Sequence, residues 1–314
     1  MITLHGPGEE VTMTAVPRVT PPAKLKIEKI AVLTDFSKNA DIALRCAATF
    51  ARGYKAGLVI AHAYTPPTYA FAAPEMAFSY QVLEDVRQSL ENRLLSQTEA
   101  PFLRGINCTT VLHAGGTLDL LDDLADADLI VVGTAGETGL EKAVLGSTAE
   151  AIFRASSIPV LTVGPHCHCS GEREIAVRRL LYATDFSPGA EIGFRYAASI
   201  VREHGAAFVL LHVKDDQDVS FTFERAMATA EPLEKLEKLL ADHADLKPRA
   251  DCIVGFGTPE AVILEEAKTR KADLIVIGAR GAGVFTSALS HFAGGTAYKV
   301  AASATCPVLT IRKV

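Results

Sequence analysis

The chain reads as two tandem α/β domains, each a doubly wound, mostly parallel sheet of five strands with helices on both faces. Three observations predict this. Short, continuous apolar runs alternate with longer amphipathic ones, as do parallel strands and their crossover helices. The whole order then occurs a second time. Glycine- or serine-bearing turns follow the apolar runs, at the strand ends where such a sheet opens its binding crevice.

Taken in order, Lys29–Leu33 is an apolar run ending in Thr34-Asp35-Phe36-Ser37. Ser37 suits an N-cap, and Ile42, Leu44, Ala47 and Phe50 give the next stretch one apolar helical face. Gly57–Ala63 reads as a buried strand. A Pro-bearing loop, Thr65–Pro74, leads to a helix around Tyr80–Ser96. Asn107–Leu112 is the third strand, Gly115-Gly116-Thr117 a helix entry and Leu118–Asp126 a short helix. Asp128–Val132 is the fourth strand, Thr148–Ala155 the last helix and Pro159–Val163 the fifth strand.

Four anchors then repeat in the same order. Thr34–Ser37 returns as Thr184–Ser187 and His62 as His212, both at an offset of 150. Ala127–Ile130 returns as Ala272–Ile275 at 145, and Pro159–Thr162 as Pro307–Thr310 at 148. The expected division is a tail over residues 1–23, a domain over 24–165, a linker over 166–176 and a domain over 177–314. In the second half, Glu231–Leu246 carries Leu233, Leu236, Leu239 and Leu240 at helical spacing, a core-packing pattern.

Composition narrows the function classes. With 314 residues, 49% hydrophobic and 22% charged, the chain has the balance of globular domains able to bury cores. A net charge of −6 argues against nucleic acid or an anionic membrane as partner. No run approaches a bilayer-spanning length, and the first residues lack the basic start and apolar block of a secretory signal. Six scattered cysteines in a chain of this size point to buried thiols and a reducing cytoplasm rather than a disulfide framework. His166-Cys167-His168-Cys169 has metal-binding residue types. Four adjacent ligands on an extended segment alternate sides and close a tetrahedron poorly, so no metal site is expected.

The stretch with a chemical signature is Gly133–Ser147, with the skeleton G-x2-G-x9-G-S on Gly133, Gly136, Gly146 and Ser147. Glycine admits close backbone approach to a ligand. Ser147 stands three residues before Glu150, the spacing of a capping box, and is expected to open the last helix. A strand, a glycine-lined turn and a helix N-terminus together favour a bound phosphate. Asp35 ends the first strand and Gly133 follows the fourth, so both are expected on one rim of the sheet. His62 and His212 are expected to pack at strand ends, not to catalyse.

TDFS at the first strand end, IAHA or LLHV at the second, ADLIVVG before the glycine loop, and closing IPVLTV and CPVLTI all resemble the universal stress protein family. The resemblance covers nearly all of residues 24–314, once per half. It implies ATP, or ADP or AMP, with Mg2+ as a bridging ion, at the C-terminal rim of a five-stranded sheet. Carried over by position, Thr34 and Asp35 would meet the adenosine, and Ala63 would offer its backbone to the base. Val132, Gly133 and Gly136 would pass under ribose and phosphates. Gly146, Ser147 and Thr148 would hold the phosphates.

The second half departs from this motif. Asp185, Val213, Gly278 and Gly281 keep their places, but His291 and Phe292 stand where Gly-Ser is required. Aligned from the closing strand, Gly294, Gly295 and Thr296 fall opposite the phosphate-holding residues, and Arg280 replaces Ala135. Nucleotide is therefore expected in the first half, with weak or no binding in the second. No Walker loop, no H-x-G-H and no catalytic pair converges on the site. The leading function is a nucleotide-binding regulator in stress response. The alternatives are a slow ATP-hydrolysing or nucleotidyl-transferring enzyme, and a ligand-free scaffold whose halves form an internal pseudo-dimer through their fifth strands. A homodimer of whole chains is a further expected state.

Overall fold

The computed structural model describes residues 25–66, 76–134, 145–165, 167, 176–214, 222–279 and 295–312. The first half runs β1 (Lys29–Leu33), α1 (Lys38–Tyr54), β2 (Gly57–Tyr64), α2 (Met76–Thr98), β3 (Cys108–Ala114), α3 (Leu120–Asp123), β4 (Leu129–Gly133), α4 (Ser147–Ala155) and β5 (Val160–Val163). The second repeats it as β6 (Arg179–Thr184), α5 (Pro188–His204), β7 (Ala207–Lys214), α6 (Thr222–Leu239), β8 (Ala250–Phe256), α7 (Pro259–Thr269), β9 (Leu274–Ala279), α8 (Thr296–Ser303) and β10 (Val308–Arg312).

The two sheets join. Strand order is β3-β2-β1-β4-β5-β10-β9-β6-β7-β8, one ten-stranded sheet among the described residues. Every pairing is parallel except the central one, where β5 meets β10 antiparallel and Leu161 faces Leu309. Those two leucines are equivalent at the 148-residue offset of the closing strands, so a pseudo-two-fold axis passes between them. The internal pseudo-dimer through the fifth strands is what the structure has. Because the axis reverses strand direction, the C-terminal rims of the two halves lie at opposite ends of the sheet.

Local sequence explains the elements. β1 is buried along nearly its whole length, as a central parallel strand must be. α1 and α5 begin alike, with Ser37 accepting from the Ala40 N–H and Ser187 from the Ala190 N–H. Both end in a left-handed residue, Lys55 at φ 56° and Gly205 at φ 63°. Phe50, Leu44, Phe194 and Leu236 fill one face of the sheet together with α2. Leu120, Ile152, Phe153, Ile263 and Val300 fill the other. An axis perpendicular to the sheet keeps each helix and its counterpart on the same face. Burying each such side chain contributes about 1.5–3 kcal/mol.

Several expectations need correcting. The helix expected over Leu118–Asp126 is the single turn Leu120–Asp123, anchored only by Leu120 and Leu124, while Asp123 turns aside to His113. The helix expected over Glu231–Leu246 is Thr222–Leu239; it runs through Pro232, and Leu240 and Leu246 are buried beyond its end. The helix therefore accommodates a proline in its interior, where one backbone donor is missing. The cysteines are not all thiols: Cys46, buried in α1, is disulfide-bonded, whereas Cys108, Cys167, Cys252 and Cys306 are free. Among the described residues no helix is long and apolar enough to cross a membrane.

Candidate functional site

In each half the strand order 3-2-1-4-5 puts the switch point between the first and fourth strands, where a doubly wound sheet opens its crevice. In the first half Leu33 pairs with Val132, and Thr34 N–H continues the ladder to Ala61 O at 2.9 Å. Thr34, Asp35, Val132 and Gly133 therefore share the rim, with Ala63 at the end of the next strand. Gly136 lies outside the described residues.

The TDFS turn is largely bonded to itself. Thr34 Oγ1 accepts from Phe36 N–H at 3.0 Å, and Asp35 Oδ1 accepts from Ser37 N–H at 2.9 Å. The turn forces Phe36 to φ 63°, a left-handed conformation that is costly for a side chain with a Cβ. Packing offsets the cost: the ring lies 4.7 Å from His62 and beneath the Arg93 guanidinium at 4.1 Å. His62 Nδ1 sits 2.7 Å from Thr34 O. His62 is thus a packed strand-end residue, as expected. The second half copies this with Phe186 at φ 59°, His212 and Lys235. Burial lowers the His212 pKa and keeps that imidazole neutral. Sequence reading missed both phenylalanines, although their place in a repeated four-residue motif was the available signal.

Gly133 has a structural reason to be glycine. A Cβ there would lie 3.1 Å from Asn39 O, at the first turn of α1. At Gly278 the fit is tighter: a Cβ would meet Ala190 Cα at 2.6 Å. Tyr182 explains the difference, since its buried hydroxyl donates to Ala190 O at 2.6 Å and holds α5 against the sheet.

The start of α4 differs from the expected capping box. Gly146 is the N-cap and, among the described residues, no side chain caps this end; Ser147 is the first helical residue and is exposed. The Gly146 N–H donates instead to Thr134 O at 2.8 Å, a buried residue that sequence reading passed over. The Glu150 carboxylate does not reach back. It pairs with Arg154 through Oε1, and accepts from the Tyr298 hydroxyl of the second half at 3.5 Å through Oε2. Thr148 lies half-buried in the first turn.

The matching end of α8 is also uncapped by side chains, with Gly295 as N-cap and Thr296 first in the helix. Asp185 repeats the Asp35 turn, accepting from Ser187 N–H at 3.0 Å, and Val213 ends its strand as Ala63 does. Arg280, Gly281, Gly294 and Phe292 lie outside the described residues. So does the His166–Cys169 run except Cys167, a free buried thiol whose pKa burial pushes up to about 11. Among the described residues no three metal-ligating side chains cluster.

Against known proteins, the family described as the universal stress protein family matches twice, over residues 26–164 and 176–312. The chain belongs to the universal stress protein family. It carries the domain in tandem. A universal stress protein of Mycolicibacterium smegmatis is 29% identical over 297 residues, covering 90% of this chain and 96% of that protein. One from Thermus aquaticus is 37% identical over 141 residues, 43% of this chain and 98% of its own length. A universal stress protein structure from Archaeoglobus fulgidus superposes with a TM-score of 0.66 at 20% identity, covering 93% of this chain and 98% of that one. At that identity the likeness speaks for the fold.

Proposed function

We infer that this tandem universal stress protein is a nucleotide-binding regulator, holding ATP or its mono- or diphosphate relative at the rim of its first half. The observation that carries this reading is the start of α4. α1 and α5 use serine hydroxyls on their first-turn N–H groups, whereas α4, like α8, begins at a glycine with no side-chain cap, and of these two only α4 adds a serine at its start. Unsatisfied N–H groups and the helix dipole favour a phosphate there, and exposed Ser147 and half-buried Thr148 add hydroxyls. The crevice between β1 and β4 supports placing the adenosine toward Asp35 and the Ala63 backbone. Asp35 spends Oδ1 on its own turn, which suits a role toward ribose or base rather than polyphosphate.

Were magnesium bound with the nucleotide, the exposed Ser147 and half-buried Thr148 hydroxyls at the start of α4 are the oxygens this chain would offer beside it. The chemistry such an ion supplies is neutralisation of phosphate charge. This chain's residues supply backbone donors and hydroxyls at the start of α4. A regulator rather than an enzyme is supported by His62, whose ring packs on Phe36 and whose Nδ1 is held by Thr34 O.

Titration calorimetry of the full chain with Mg-ATP tests the reading, together with mass analysis of nucleotide released on gentle denaturation. One site per chain is the expected result, with no ADP or AMP formed over long incubation. Absence of both titratable and co-purified nucleotide would refute it.

A further inference from the structure

The helix that would face the phosphate is held by the other half of the molecule. α4 and α8 flank the pseudo-two-fold axis, and Phe153 meets Tyr298 edge to face with centroids 5.9 Å apart. Glu150 and Tyr298 are equivalent positions, separated by the same 148 residues as the axial leucines. A symmetric pair would set like against like across the axis. Here the two equivalent positions are complementary, a carboxylate in one half and a phenol in the other.

The consequence concerns the open helix end. A Glu in the first turn, three residues after a serine, has the reach to fold back onto the end of its own helix. There it would place a negative charge where a phosphate is expected. In the structure both Glu150 oxygens are directed elsewhere, Oε1 to Arg154 and Oε2 to Tyr298. Tyr298 is only 6% exposed, so the contact is built into the interface between the halves. At the far end of α4, Arg312 Nη1 donates to Arg154 O, and its guanidinium lies 5.3 Å from the Phe153 ring centroid. A cation at the helix C-terminus is favourable. The equivalent of Arg312 in the first half is Gly164, which approaches Ala304 O without a side chain to offer. The arginine contact has no counterpart across the axis.

We propose that Tyr298 of the second half is a positioning residue for the first half's phosphate site: it keeps the Glu150 carboxylate off the start of α4, so that the helix end stays open to an anion. The second half then contributes to binding in the first whether or not it binds a ligand itself. The inference rests on the nucleotide reading above.

The test uses full-length protein with Mg-ATP as probe. Tyr298→Phe keeps the ring on Phe153 and removes only the hydroxyl; its affinity should fall about three- to tenfold, the worth of one hydrogen bond. Adding Glu150→Ala to Tyr298→Phe should restore affinity to the parent level or above, because the competing carboxylate is gone. A purely structural role for Tyr298 predicts no such rescue. Unchanged affinity in Tyr298→Phe, or failure of Glu150→Ala to rescue it, overturns the proposal while leaving the nucleotide reading standing. No binding by the parent protein removes both.

Discussion

The two halves share strand order, helix placement and the self-bonded TDFS turn, yet differ wherever the rim meets a neighbour. In the first half a Cβ added at Gly133 would lie 3.1 Å from Asn39 O; in the second, one added at Gly278 would lie 2.6 Å from Ala190 Cα. α1 ends on a left-handed lysine and α5 on a left-handed glycine. α4 is gripped at both ends by the other half, whereas Gly164 gives α8 no matching arginine. A duplicated fold therefore need not carry two identical rims. Once the halves are one chain, each position across the axis is free to specialise.

The largest effect that would sharpen this contrast comes from a bulky residue at the helix starts. Gly146→Val should weaken Mg-ATP binding by about tenfold to a hundredfold through overpacking, with the melting profile preserved because Gly146 has φ −59°, open to any residue. Gly295→Val, at φ −67°, should leave affinity unchanged. Equal losses from both substitutions would break the asymmetry.

Stability separates the halves next. Gly278→Ala should cost about 3 kcal/mol and Gly133→Ala about 1 kcal/mol in urea denaturation, since the first drives a Cβ into helix backbone and the second into a looser contact. Reversed magnitudes would show that α1, not α5, is the more rigidly seated helix. A smaller gain is expected from Lys55→Gly, about 0.5–1 kcal/mol of added stability, because it relieves a left-handed lysine that its counterpart Gly205 already avoids.

The smallest effect is a pH dependence. The His212 pKa lies below its ordinary value of 6.5, mainly through burial. Below that value the unfolded chain binds a proton that the native imidazole resists, so stability falls as pH drops from 6.5 toward the native pKa. Thermal melts should show a loss in that range, with a shallower slope in His212→Asn. An unchanged slope would remove His212 as a source of acid sensitivity.

Much of this was legible in the sequence. Continuous apolar runs gave the parallel strands, Ser37 and Ser187 gave the starts of α1 and α5, and the repeated anchors gave the duplication. These are local signals, carried by burial periodicity and by capping chemistry within a few residues. The capping box at Ser147 failed for the opposite reason. Its spacing is right, but Glu150 has partners in Arg154 and in Tyr298 of the other half, and Gly146 N–H has one in Thr134 O. Local chemistry offered a bond that longer-range contacts outbid.

The glycine loop marks the same boundary. Sequence alone determined that the chain carries two copies of one α/β unit, with a phosphate-suited strand, turn and helix start in the first and an altered copy in the second. Only the tertiary structure decided that the units fuse into one sheet about Leu161 and Leu309, that their rims face opposite ways, and that α4 is left uncapped and held from across the axis. Strand and helix patterns repeat within each unit and can be read along the chain. The pairing at the axis joins residues about 148 positions apart, and which of their side chains meet depends on the geometry of the closed fold.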